Sequence, residues 1–164
     1  MNNIVAVTLS DPIGIELPIN YSTDGGNTWL QPDNFPKTLF GAKTINGQLS
    51  GRAANAVAYG YDETNNTCFV AVGIGPGVIG YSKDGSSWTL SKTPAELFSF
   101  QNGQGGGSGG GGGYGICYGK NNGENCFVAV GCIDIARSTD GGKTWTKTTP
   151  TNGGLTYGNL YGIA

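Results

Sequence analysis

Ser22-Thr23-Asp24-Gly25-Gly26-Asn27-Thr28-Trp29, STDGGNTW, returns almost unchanged as STDGGKTW at Ser138–Trp145, with a shorter form, SKDGSSW, between them at Ser82–Trp88. Asp24 to Asp84 is 60 residues and Asp84 to Asp140 is 56. A near-constant period of that size means repeated supersecondary units. The match extends beyond the turns. CFVAVG occurs word for word at Cys68–Gly73 and Cys126–Gly131. NAVAYG (Asn55–Gly60) corresponds to GICYG (Gly115–Gly119), and VIGYS (Val78–Ser82) corresponds to DIARS (Asp134–Ser138) and PINYS (Pro18–Ser22). Each unit therefore reads as strand, hairpin loop, apolar strand, loop, strand, Asp-Gly turn, Trp strand.

Four antiparallel strands per repeat is the composition of one β-propeller blade. Phe69–Val72 and Phe127–Val130 are apolar without alternation, as expected of strands covered on both faces. With 31 Gly and 7 Pro in 164 residues, long helices are not expected. The expected fold is all-β, a propeller of four-stranded antiparallel blades with three repeat units in one domain, residues 1–164. The units are placed at about 1–50, 51–112 and 113–154, with a closing strand at 155–164. The first unit lacks a first strand, because IVAVT (Ile4–Thr8) aligns with the second strand of the others. LYGIA (Leu160–Ala164) aligns with the start of a first strand. Propellers typically have four to eight blades. Two completions follow: two chains closing a six-bladed ring, or the remainder of a longer propeller.

The chain carries 9 basic and 11 acidic residues and no His, a net charge of −2, which gives no basic surface for nucleic acid. Charged residues are 12 % of the chain, against about 25 % in an average domain. Polarity comes instead from Asn, Thr, Ser and Gly, a composition that favours an extracellular or virion setting. No apolar run approaches the ~18 residues of a membrane helix, so no membrane insertion is expected. The N-terminal stretch has neither a basic region nor a long apolar one and does not read as a signal peptide.

Within the turn each residue type has a mechanical task. Asp24, Asp84 and Asp140 are expected to accept backbone N–H groups two or three residues on. Gly26, Gly85 and Gly142 supply positive φ. Ser22, Ser82, Ser138, Thr28 and Thr144 tie down the remaining turn groups. Trp29, Trp88 and Trp145 supply apolar anchors between units, with the indole N–H left for a partner.

On these residues the chain resembles the Asp-box family, the bacterial neuraminidase repeats. Two turns match the pattern fully, and the middle one is a residue short. The resemblance implies a structural role for the turns, on the outer rim and away from a ligand face. It also implies the chemistries to test: sialidases, plant-polysaccharide glycosidases and a photosystem II assembly factor.

A sialidase needs three arginines, whereas the chain has Arg52 and Arg137 alone. Glycosidases need two carboxylates about 5 to 10 Å apart. Those outside the turns (Asp11, Glu16, Asp33, Asp62, Glu63, Glu96, Glu124, Asp134) are scattered beside loops and read as solvated turn residues. The assembly factor needs a basic patch, which an acidic chain does not offer. Without His, Ser-His and Cys-His nucleophiles and His-metal sites are excluded. One carboxylate per turn is too few for a calcium loop.

No catalytic residue, metal or cofactor is therefore expected. Cys117 and Cys126 flank one hairpin, where a disulfide or, preferably, buried free thiols are expected. The run Gly103–Gly115 reads as a linker-like loop. Phe35, Phe40 and Phe98 lie in the long loops after the first and second turns, as core packing or as a contact surface, with packing favoured for Phe40 and Phe98. The function expected is a non-catalytic binding or structural module for glycan or protein, on a virion, phage tail or cell surface. The alternative is a fragment of an Asp-box glycoside hydrolase without its catalytic residues.

Overall fold

The structure, a computed structural model, describes residues 3–8, 18–36, 38–41, 43–45, 48–50, 53–74, 78–95, 97–98, 112–132, 134–148, 160 and 162–164. Nearly all of the glycine run, and Arg52, lie outside them. The described chain is all-β. Its strands are β1 (Ile4–Val7), β2 (Ile19–Ser22), β3 (Lys43–Ile45), β4 (Gln48–Ser50), β5 (Ala54–Tyr61), β6 (Thr67–Gly73), β7 (Ile79–Ser82), β8 (Thr89–Leu90), β9 (Gly113–Asn121), β10 (Glu124–Gly131), β11 (Ile135–Ser138) and β12 (Thr146–Thr148). One 3-10 turn, Leu39–Gly41, interrupts them.

Two four-stranded antiparallel meanders stand out, β5-β6-β7-β8 and β9-β10-β11-β12. Their registers are equivalent: Phe69 pairs with Ser82 in one, and Phe127 with Ser138 in the other. The N-terminal sheet is smaller. β1 pairs with β2, and Tyr21 bridges Leu30 where the fourth strand would run. A separate two-stranded ribbon joins β3 to β4.

Hairpin chemistry sets the registers. Between β9 and β10, Asn122 (φ 50°) and Gly123 (φ 86°) both occupy the left-handed region, as a two-residue turn matched to strand twist requires. Between β5 and β6, Asp62 closes the loop. Its Oδ1 accepts the N–H groups of Thr64 and Asn66 and the Thr64 hydroxyl, at 2.8–2.9 Å.

Side chains alternate across a strand, and on β6 both faces are apolar and both are used. Phe69 and Ala71 enter one core cluster with Ile19, Leu39, Phe40, Ala54 and Trp88. Val70 and Val72 enter the other with Ile79, Phe98, Phe127, Ala129 and Trp145. The central meander is thus sandwiched between the N-terminal sheet and the C-terminal meander. On β10, Phe127 and Ala129 face the central meander, while Val128 is half-buried on the opposite face.

Candidate functional site

The recurrent turns are the most elaborate local structures in the chain. In the first, the Ser22 hydroxyl donates to Asp24 Oδ1 (2.8 Å) while its oxygen accepts the Gly26 N–H (2.8 Å). Asp24 Oδ1 also accepts the Thr28 N–H (2.9 Å), and its Oδ2 accepts the Thr28 hydroxyl (2.7 Å). The third turn repeats this: Ser138 donates to Asp140 and accepts the Gly142 N–H, and Thr144 donates twice to Asp140. In both, the carboxylate also accepts the backbone N–H four residues on, beyond the expected two or three. The second glycine stretches the loop by a residue, and Gly25, Gly26, Gly141 and Gly142 all have φ between 75° and 90°.

The shorter middle turn solves the same problem differently. Asp84 Oδ1 accepts the N–H groups of Ser86 and Ser87, and a single glycine, Gly85 (φ 84°), carries the reversal. All three turns converge at the indole. Each N–H donates to the carbonyl of its own turn: Trp29 to Gly26 (3.1 Å), Trp88 to Gly85 (2.8 Å), Trp145 to Gly142 (3.0 Å). The indole is therefore not left for an outside partner. It locks the ring against the turn that presents it.

The turns differ in what they press against. Gly85 stands over Val5 and Tyr21 of the N-terminal sheet, and Gly142 over Val70 and Tyr81 of the central meander. The backbone N–H of Trp88 donates to the Asn34 carbonyl (2.9 Å) and the backbone N–H of Trp145 to the Lys92 carbonyl (3.1 Å), each in the segment leaving the preceding sheet. Trp88 and Trp145 are 1 % and 5 % exposed, as inter-unit anchors should be. Trp29 is 44 % exposed, and a side chain at Gly25 would meet open space. As an anchor between units within the described chain, Trp29 is a misreading: no sheet lies in front of it.

Of the carboxylates outside the turns, Asp62, Glu63, Glu124 and Asp134 are spent on structure; Asp33 is exposed, and Asp11, Glu16 and Glu96 lie outside the described residues. Asp62 and Asp134 are buried, against the expectation of solvated loop positions. Asp134 accepts the Phe98 N–H (2.9 Å) and pairs with Lys147. Glu63 pairs with Lys143 of the third turn, and Glu124 with Arg137. Phe40 and Phe98 are fully buried and are core residues, not contact residues. Both hold φ 59°, and each ring lies against the glycine that ends a second strand, Gly73 or Gly131. Phe35 is half-buried, 6.1 Å from the Phe40 ring. No sequence signal marked the positive φ of either phenylalanine.

All four cysteines are free. The register puts Val128 opposite Cys117 and Gly119 opposite Cys126, so the two thiols do not face each other across the hairpin. Burial, with Asp62 nearby, pushes the Cys68 thiol up to about 12, which leaves it inert at neutral pH. Among the described residues no three of His, Cys, Asp and Glu gather as a metal site, and no helix is long and apolar enough to cross a membrane.

Hydrogen bonds to the charged form lower the turn carboxylates. The Thr28 and Ser22 donors bring Asp24 from 3.8 to about 2. At Asp84 and Asp140 burial pushes upward, but the donors outweigh it and the net direction is down. Folded values below unfolded ones mean stability that is complete above about pH 4 and lost as pH falls toward about 2. The melting temperature should therefore be level above about pH 5 and drop between about 4 and 2. The Asp140→Asn variant should show a shallower drop, since its amide does not titrate. A thermal melt series flat across that window would contradict the assignment.

No protein-family model matches the chain, and no curated protein matches it.

Proposed function

We propose that the chain is a non-catalytic β-propeller module of the Asp-box type, whose role is binding or structural display toward a glycan or protein, on a virion, phage tail or cell surface. The observation that supports it best is where the chemistry-bearing side chains go. Turn carboxylates are occupied by their own Ser and Thr donors, Asp62 and Asp134 are buried in structural bonds, and Glu63 and Glu124 sit in ion pairs. With those carboxylates engaged, they are not held free as the opposed pair that glycoside chemistry uses. The repeated meanders, stacked through strands apolar on both faces, support the propeller arrangement.

Sialoside and xyloglucan hydrolysis assays should give no turnover, and a glycan array or a pull-down against host surface proteins should give saturable binding. Turnover that persists after repurification would overturn the reading and favour a hydrolase fragment.

A further inference from the structure

The two internal sheet-on-sheet contacts are built alike, and the chain carries both halves of a third one unused. Each internal contact has a front face: the turn glycines, the Trp, and the first apolar residue of the second strand. Each has a rear face: the next residue of that strand and the third-strand residue beside it, joined in the central meander by Gly60 near the end of the first strand. Between the central and C-terminal meanders, Gly142 meets Val70 and Tyr81, and the Phe127 and Tyr118 rings cover Gly60. A side chain at Gly60 would come within 2.3 Å of the Tyr118 ring and 2.7 Å of Phe127.

The equivalent front face on the N-terminal sheet is bare. Ile4, in the register position of Phe127, is 41 % exposed, Trp29 is 44 % exposed, and Gly25 faces open space. The equivalent rear face on the C-terminal meander is covered by no sheet among the described residues, although Val128 and Arg137 on it are half-buried. Val128 stands where Val70 does, Arg137 where Tyr81 does, and Gly119, equivalent to Gly60, has nothing within 4 Å. The last described segment points the same way. The Leu160 N–H bonds to the Gly131 carbonyl (3.2 Å), at the end of the second strand. Gly112, which leads into β9, lies against the corresponding Gly73 carbonyl of the central meander. Leu160 thus enters where a following sheet would begin, and β1 has β2 as its one strand partner among the described residues.

From the continuity of these two faces with the internal contacts, and resting on the stacked-blade reading above, we propose that the front face of one copy docks on the rear face of a second copy of this chain. Gly26 then sits over Val128 and the aliphatic stem of Arg137, Ile4 covers Gly119, and the Trp29 ring is buried as Trp88 and Trp145 are. The contact is heterologous, so two copies close by using it twice.

Sedimentation equilibrium of the full chain should give a mass of about twice 16.8 kDa. Trp29→Glu spoils only the front face and Gly119→Gln only the rear, both at positions open in the single copy. Each should fold, with unchanged far-ultraviolet dichroism, and show a twofold drop in mass. Mixed in equal amounts, the two variants should recover a two-copy species, because each retains the face the other lost. A folded monomeric wild type, an open-ended series of masses, or a mixture that stays monomeric would overturn the docking. None of these results bears on the hydrolysis assays, so failure here is separable from failure of the non-catalytic reading.

Discussion

Gly73→Ala and Gly131→Ala are each expected to destabilise the chain by ~3 kcal/mol or more, at the upper end for overpacked cores. A methyl group at Gly73 would lie 2.1 Å from the Ala53 carbonyl oxygen and 2.5 Å from the Phe40 ring. At Gly131 the corresponding distances are 2.2 Å to the Gly112 oxygen and 2.7 Å to the Phe98 ring. Neither neighbour can yield cheaply. The oxygens belong to backbone: Ala53 O accepts the Ile74 N–H, and Gly112 O accepts the Cys132 N–H. The rings are fully buried, on residues already held at positive φ, where a phenylalanine has little freedom to move aside. Gly119→Ala is the control. Its methyl meets nothing within 4 Å, and the change should stay within about 0.5 kcal/mol. Urea denaturation of the three variants decides the matter: equal midpoints would mean that the close approaches are not what requires glycine.

Trp88→Ala and Trp145→Ala should each cost about 3–5 kcal/mol, whereas Trp29→Ala, in an otherwise identical turn, should cost less than about 1. All three indoles make the same N–H bond to their own turn, so that bond cannot produce the difference. Burial does. Trp88 packs with Ile19 and Phe69, and Trp145 with Val70 and Phe127, so removing either ring leaves a cavity between two sheets. Trp29 lies at the surface of the single copy and leaves none. The comparison is best made in the Gly119→Gln background, where association between copies does not contribute. Three equal losses would show that the turn itself, not the sheet in front of it, carries the stabilisation.

Much of the architecture was legible without coordinates. The unbroken apolar runs at Phe69–Val72 and Phe127–Val130 predict strands covered on both faces; β6 divides its side chains between two cores as that pattern requires, whereas on β10 Val128 is only half-buried. The Ser-x-Asp-x-Gly pattern identified the turns, and their hydroxyl and carboxylate partners are the expected ones, with a further acceptor bond to the residue four on in the two full turns. Asp62 and Asp134 were read as solvated loop residues. Gly141 of the third turn and Asn125 lie against Asp62, and the Phe98 backbone against Asp134, approaches that no local stretch of sequence encodes. The phenylalanines after the first two turns were ambiguous for the same reason.

By itself the sequence determined the order of strands within each repeat unit, the hairpins between them and much of the internal chemistry of the three turns, but not the β3–β4 ribbon. All of these depend on residues within a few positions of one another, through hydrogen bonds and strand alternation that act locally. Only the tertiary structure decided which copies of a repeated feature are buried. Trp29 and Trp145 sit in nearly the same eight residues, yet one is exposed and the other is core. Burial is a property of what stands opposite, and for Trp29 the chain places no sheet there among its described residues.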